Sequence, residues 1–247
     1  MAKSKKSKLK IVVTTALNLA NHSERRRKLD RLSLSHLAGL KPKGYDLVIH
    51  AIGTDDEDRE LAEELGLKLI LQSNENLGKK RNEGLQHAVT FGDVVIQIGS
   101  DDLLSEGFID FVATVFSDES VGSLKIRGFY EYDTPTGRLS HFPNHVFATA
   151  FRSSILDGDL YETDKGIKNI DLTLHTRLWS MSERSGCRQV TLDLPDSAAY
   201  VFLKCGDELH SFDDHVNAFS KLTTVIDGTK ADEFIERHFS NVSLKTD

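Results

Sequence analysis

The feature that most constrains this chain is a strict alternation of strand and helix signals over its first hundred residues. Residues 9–15 form an apolar run suited to a buried strand. A helical pattern over 24–40 follows, with Leu29, Leu32, Leu34 and Leu37 on one stripe, and then a second strand over 45–52. A charged helix over 56–65, a strand over 68–72, a helix over 79–90 and a strand over 93–98 repeat the unit. Such a series builds right-handed crossovers and a mostly parallel sheet, whose ligands sit beyond the carboxyl ends of the strands. Thr14, Thr15, Gly53, Ser73 and Asp101 would all emerge at that edge. The expected fold is α/β, with residues 1–104 as a nucleotide-binding half.

Beyond Asp102 the rhythm changes. A helix is expected over 106–116, strands over 123–132, a turn at Thr134-Pro-Thr-Gly137 that reads as a hairpin, and a strand over 146–152. A helix over 171–182, strands over 189–194 and 199–203, and closing helices over 213–222 and 230–239 complete the expected elements. No linker divides the chain, so 1–247 is read as one domain, with 105–247 a mixed α/β acceptor half. With 39% hydrophobic residues the chain has ample material for a core. A net charge of −7 argues against indiscriminate attraction to nucleic acid. Cys187 and Cys205 have neither metal-like spacing nor a disulfide pattern, which fits a reducing compartment, and cytoplasmic localisation is expected. The basic start, Lys3 to Lys10, precedes an apolar run too short for a secretory signal or a membrane span, and no integral membrane association is expected.

The chemistry concentrates between Gln72 and Leu104. The loop Asn74-Glu-Asn-Leu-Gly78-Lys-Lys-Arg81-Asn82-Glu-Gly84 opens a helix, and Val94-Val-Ile-Gln-Ile-Gly99-Ser-Asp101-Asp102 follows. A basic, glycine-punctuated helix entrance can hold a diphosphate, and paired carboxylates at a strand end can hold a divalent metal beside it. Each half has a plainer reading: helix capping for the loop, and a turn or an N-cap near Ser105 for the two aspartates. P-loop, serine hydrolase and structural zinc signatures lack their required residues.

The order strand, Asn-x-x-Gly-Lys-x-Arg-Asn-x-Gly helix, strand, Gly-Ser-Asp-Asp resembles the GT-A glycosyltransferases, specifically the large inverting family with nucleotide-sugar donors. The resemblance is good over 10–116 and suggestive to 178. It implies a metal-dependent transfer from a nucleotide-sugar, most simply a UDP-sugar, to an acceptor hydroxyl, with Mn²⁺ or Mg²⁺ as cofactor. Gly78, Lys79, Arg81 and Asn82 would line the donor pocket, with Thr14 at the strand end beside it. Asp101 would approach the ribose and Asp102 would bind the metal, completed by a late histidine, His210. The resemblance further implies a general base at the start of a helix ahead of an Arg, which falls on Asp171, with Asp164 in reserve; a helix N-cap is the competing role for Asp171.

Two departures stand out. Gly99 occupies the place of the motif's usual first acid, and the acid that reads uracil near the end of the second strand is replaced within His50-Ala-Ile52. Two other functions remain in view. A nucleotidyltransferase would place a glycine-rich signature after the first strand, where Thr14-Thr-Ala-Leu-Asn18 has none; a silent nucleotide-sugar-binding protein would keep the fold without the base. No motif identifies the acceptor. A carbohydrate is favoured, and a modified DNA base is compatible with a basic rim made by Lys3 to Lys10 and Arg25-Arg-Arg-Lys28. Lys204 is a further candidate for facing the diphosphate.

Overall fold

A computed structural model describes residues 8–163, 174–206, 212–218, 223–240, 242 and 244. The alternating series is present in full: β1 (Lys10–Ala16), α1 (Glu24–Gly39), β2 (Asp46–Gly53), α2 (Asp56–Glu64), β3 (Lys68–Leu71), α3 (Leu77–Ala88) and β4 (Val94–Ile98). After it come β5 (Asp102–Leu104), α4 (Glu106–Phe116), β6 (Val121–Arg127), β7 (Tyr130–Asp133), β8 (Arg138–His141) and β9 (Val146–Arg152). The remaining elements are α5 (Leu174–Arg184), β10 (Arg188–Asp193), β11 (Tyr200–Lys204), α6 (Phe212–Ala218), β12 (Thr224–Ile226) and α7 (Thr229–His238).

The strands form two sheets. The larger has the order β10-β6-β9-β4-β1-β2-β3 and is parallel throughout except for β9, which runs antiparallel to both neighbours. Two antiparallel steps leave β6 parallel to β4, so both end at the same edge. The smaller sheet, β12-β8-β7-β11-β5, takes in the second residue of the acidic pair, because β5 starts at Asp102 and pairs antiparallel with β11. The single β-rich run expected over 123–132 is two strands in different sheets, divided at Gly128, whose φ of +92° lies in the left-handed region that favours glycine. The hairpin at 134–137 is present, and joins β7 to the short β8.

Strand β1 explains the layering. Ile11 and Val13 pack with Leu34 and Leu37 of α1 and Phe108 and Val112 of α4, while Val12 faces the opposite way against Leu85 of α3 and Leu178 of α5. Both faces of the sheet are therefore covered by helices, as a parallel sheet requires. A third cluster, including Leu103, Leu139 and Val201, seats the smaller sheet against Leu29 of α1 and Ile235 and Phe239 of α7. Side-chain caps fix the helix starts facing the sheet edge: Ser23 accepts from the Arg26 amide, Asp55 from Asp58, Asn76 from Lys79 and Ser105 from Phe108. Among the described residues no helix is long and apolar enough to cross a membrane.

Candidate functional site

The acidic pair lies where the two sheets meet, at the carboxyl end of β4. Asp101 is 7% exposed and Asp102 3%. Neither caps α4, since Ser105 does so, and that reading of the pair falls away. The Asp102 carboxylate turns back over the loop: its Oδ2 accepts from the Gly99 amide at 2.7 Å and from the Tyr200 hydroxyl at 2.8 Å. Gly99 makes this possible. A Cβ there would stand 3.0 Å from Asp102 Oδ2 and 3.1 Å from Asp101 Oδ1, so both carboxylates converge on the space that the missing side chain leaves. The second oxygen of Asp101 meets the Arg26 guanidinium at 3.2 Å. Burial first, and then the neighbouring Asp101 charge, pushes the Asp102 carboxyl up to about 7; burial raises Asp101 as well, against the pull of Arg26.

The helix entrance behaves differently from its sequence reading. Lys79 lies on the outer surface of α3, its side chain 68% exposed and 3.8 Å from Glu83. Its neighbour Lys80 turns inward and is 1% exposed. Asn82 is buried and fastens a segment of the second half: Oδ1 accepts from the amides of Leu160 and Tyr161 at 3.0 and 2.8 Å, and Nδ2 donates to the Tyr161 carbonyl at 3.0 Å. Gly78 touches the same segment, for a Cβ there would meet the Glu162 carbonyl oxygen at 2.1 Å. Asn76 Nδ2 donates to the Thr163 carbonyl, and Arg81 stacks over the Tyr161 ring at 5.0 Å from its centroid. From α5, Arg177 donates to the Asp159 and Tyr161 carbonyls and pairs with Glu162. The motif residues of α3 thus hold a strap, residues 159–163, across the start of the helix.

Under this edge runs a polar chain. Thr14 Oγ1 lies 2.9 Å from His50 Nδ1, and His50 Nε2 lies 2.9 Å from His87 Nδ1. Thr14 and His50 are buried, so the Thr14 hydroxyl is engaged within the sheet rather than presented at its edge. Burial, and then the His87 charge, pushes His50 down to about 4.

The general-base candidates Asp171 and Asp164, and the histidine His210, lie outside the described residues. Lys204 approaches the acidic pair and sits 3.9 Å from the buried Glu131. The basic run of α1 has partners within the chain: Arg25 donates to the Cys205 carbonyl, Arg27 pairs with Glu57, Lys28 with Glu24 and Arg31 with Glu64. Phe129 and Tyr132 are core residues, whereas Trp179 is half exposed. Sequence reasoning missed Arg26, Tyr200 and Lys80. Only Lys80 carried a local signal, since it falls on the buried stripe of α3 between Leu77 and Gly84.

No family model matches the sequence, and no curated protein matches it. Among solved structures the chain resembles S. aureus TarS, with a TM-score of 0.53 at 17% identity, over 95% of this chain and 44% of that one. It also resembles S. aureus TarS 1-349 in complex with UDP-GlcNAc, with a TM-score of 0.51 at 16% identity, over 95% of this chain and 74% of that one. The chain therefore spans less than half the length of the longer TarS chain. At such identity the likeness is one of fold.

Proposed function

We propose that this chain is a glycosyltransferase that moves a sugar from a nucleotide-sugar, a UDP-sugar in the first instance, to an acceptor hydroxyl with inversion. The observation that carries the reading is the buried pair Asp101 and Asp102 at the carboxyl end of β4, beside a capped helix entrance, in a fold shared with a protein solved with UDP-GlcNAc. Open α/β sheets bind ligands at this edge, so the donor's diphosphate is assigned to the space between the pair and the start of α3.

A divalent cation, Mn²⁺ or Mg²⁺, fits the pair. Two carboxylates converge above Gly99 with hard oxygen donors, and burial together with their mutual repulsion disfavours the charged form of Asp102, which a cation between them would restore. Each acid has one oxygen engaged, Asp102 Oδ2 with the Gly99 amide and Tyr200 and Asp101 Oδ2 with Arg26, so the other oxygen of each is the one offered to an ion. Among the described residues no third His, Cys, Asp or Glu joins them; His210 is retained as the further ligand. When bound, such an ion neutralises charge on a departing diphosphate. The residues of the chain do the rest. Arg81 contributes a further cation at the helix entrance, the strap on α3 leads into the stretch that bears Asp164 and Asp171, and Asp171 takes the acceptor proton. A carbohydrate acceptor is favoured over a modified DNA base, since the basic side chains of α1 have partners within the chain, while Lys3 to Lys6 of the expected basic rim lie outside the described residues.

The test is calorimetric titration of UDP with and without Mn²⁺, together with a hydrolysis screen across nucleotide-sugars. The wild type is expected to bind UDP in a Mn²⁺-dependent manner, and Asp101→Asn to remove that dependence while the thermal melt stays close to wild type. Metal-independent affinity that Asp101→Asn leaves unchanged refutes the assignment. Binding without turnover on any donor would favour a silent binding protein.

A further inference from the structure

Lys80 is among the largest fully buried side chains of the chain, and it carries a charge. Its ammonium donates to the Leu17 carbonyl, to Thr54 Oγ1 at 2.5 Å and to Asn74 Oδ1 at 3.4 Å. Those three acceptors belong to the three loops that leave β1, β2 and β3 at the carboxyl edge of the sheet. An ammonium has three N–H donors and no acceptor, and here each loop supplies one partner. Beneath it, the buried Asp58 ties two of the same loops together, accepting from the Leu19 amide at 3.0 Å and the Thr54 amide at 2.7 Å.

Burying a lysine is costly, and an apolar side chain of similar length would pack the same volume without that cost. What Leu or Met would not do is fix the separation of three independent loops. Those loops form part of the backbone at the edge where a parallel sheet meets its ligand, and irregular backbone without such ties opens readily. Lys79, one position earlier, faces solvent and has no such reach.

We infer that Lys80 is a positioning residue that holds the loops after β1, β2 and β3 in register for the nucleoside part of the donor, so that the pocket is organised before the nucleotide arrives. The inference rests on the glycosyltransferase reading for the identity of the ligand, and on the hydrogen bonds alone for the tethering.

Two measurements separate these supports. Hydrogen exchange on the free protein, followed by mass spectrometry, is expected to show that Lys80→Met loses protection over 17–19, 53–55 and 72–76 while β1 and β2 stay protected. Calorimetry with UDP and Mn²⁺, run well below the melting temperature, is expected to show affinity weakened at least about tenfold, the scale of one lost charge-assisted hydrogen bond. Lys230→Met, an exposed lysine on α7, serves as the control and should match wild type in both. A merely structural lysine would lower the melting temperature but leave UDP affinity in the surviving folded protein intact, and that result overturns the inference. If Lys80→Met does not fold, Thr54→Val removes one partner without removing the lysine and should show the same loop-specific exchange in weaker form; unchanged exchange in that variant also overturns it. If the wild type binds no nucleoside diphosphate, the glycosyltransferase reading fails, and the tethering stands or falls on exchange alone.

Discussion

Replacing Asn82 by Ala decides between two roles for one motif residue. If Asn82 served the donor, its amide would be held in reserve for a ligand. In the structure three of its hydrogen-bonding positions are already used by the backbone of the strap. Truncation leaves the Leu160 and Tyr161 amides without that acceptor, while the Tyr161 carbonyl keeps its bond from Arg177 at 3.1 Å. Each orphaned buried donor costs about 1–3 kcal/mol, and partial relaxation with water entry lowers the sum, so a loss of about 3 kcal/mol is expected. Against a typical domain stability of about 5–15 kcal/mol this is a large fraction. Urea unfolding of the two proteins at 25 °C measures it as a lower midpoint at unchanged slope. Limited proteolysis should find the new weak point within 159–163. A stability loss below about 1 kcal/mol, accompanied by a tenfold fall in UDP affinity, would refute the strap assignment and return Asn82 to the donor pocket.

Gly78→Ala tests the same strap from the other side. Its Cβ would meet the Glu162 backbone oxygen at 2.1 Å, so a destabilisation of about 1–3 kcal/mol is expected in thermal or urea melts, with cleavage again in the strap. The pH dependence of stability should carry the signature of His50. Its folded value of about 4 lies below the ordinary histidine value of 6.5, so the unfolded chain takes the proton first, and stability is full above 6.5 and lost as pH falls toward 4, by up to about 3 kcal/mol. Asp102 acts with the opposite sign, since a carboxyl raised to about 7 makes the fold less stable as pH rises from about 4 to 7. Urea melts of wild type and His50→Asn from pH 4 to pH 7 isolate the histidine; parallel profiles would show that His50 does not titrate as its burial requires.

The first half of the fold was legible because its signals are local. Ile11, Val12 and Val13 are all apolar, as a strand buried on both faces must be, and Ser23, Asp55 and Asn76 mark helix starts by side chains that accept from the amide three residues on. Of the smaller sheet, β7, β11 and the hairpin at 134–137 were legible, but β5, β8, β12 and the pairing were not, because those strands are short and several partners distant. β5 has three residues and pairs with β11, bringing Tyr200 to Asp102 across 98 positions of sequence. The site divides along the same line. The strand pattern located Asp101 and Asp102 at the carboxyl end of β4, where the structure has them, but successive helical residues turn by about 100°, so the choice between Lys79 and Lys80 depended on where the buried stripe of α3 ran. Asn82 depended on a segment nearly eighty residues away.

Gly99 links the sequence departure to the geometry of the acidic pair. With glycine at this position the Asp102 carboxylate folds back onto the loop amide at 2.7 Å, and any Cβ would crowd that oxygen at 3.0 Å. A third acid here would add a further negative charge beside two buried carboxylates of which one is already pushed up to about 7. The chain instead brings Arg26 from α1 onto Asp101 and Lys204 from β11 toward the pair. Two cations from different elements thus do part of what a richer acidic cluster would leave to an ion. On the proposed metal-dependent reading, the affinity for a divalent ion should be set by how readily Arg26 yields its hold on Asp101, and Arg26→Ala should then tighten Mn²⁺ binding in a calorimetric titration.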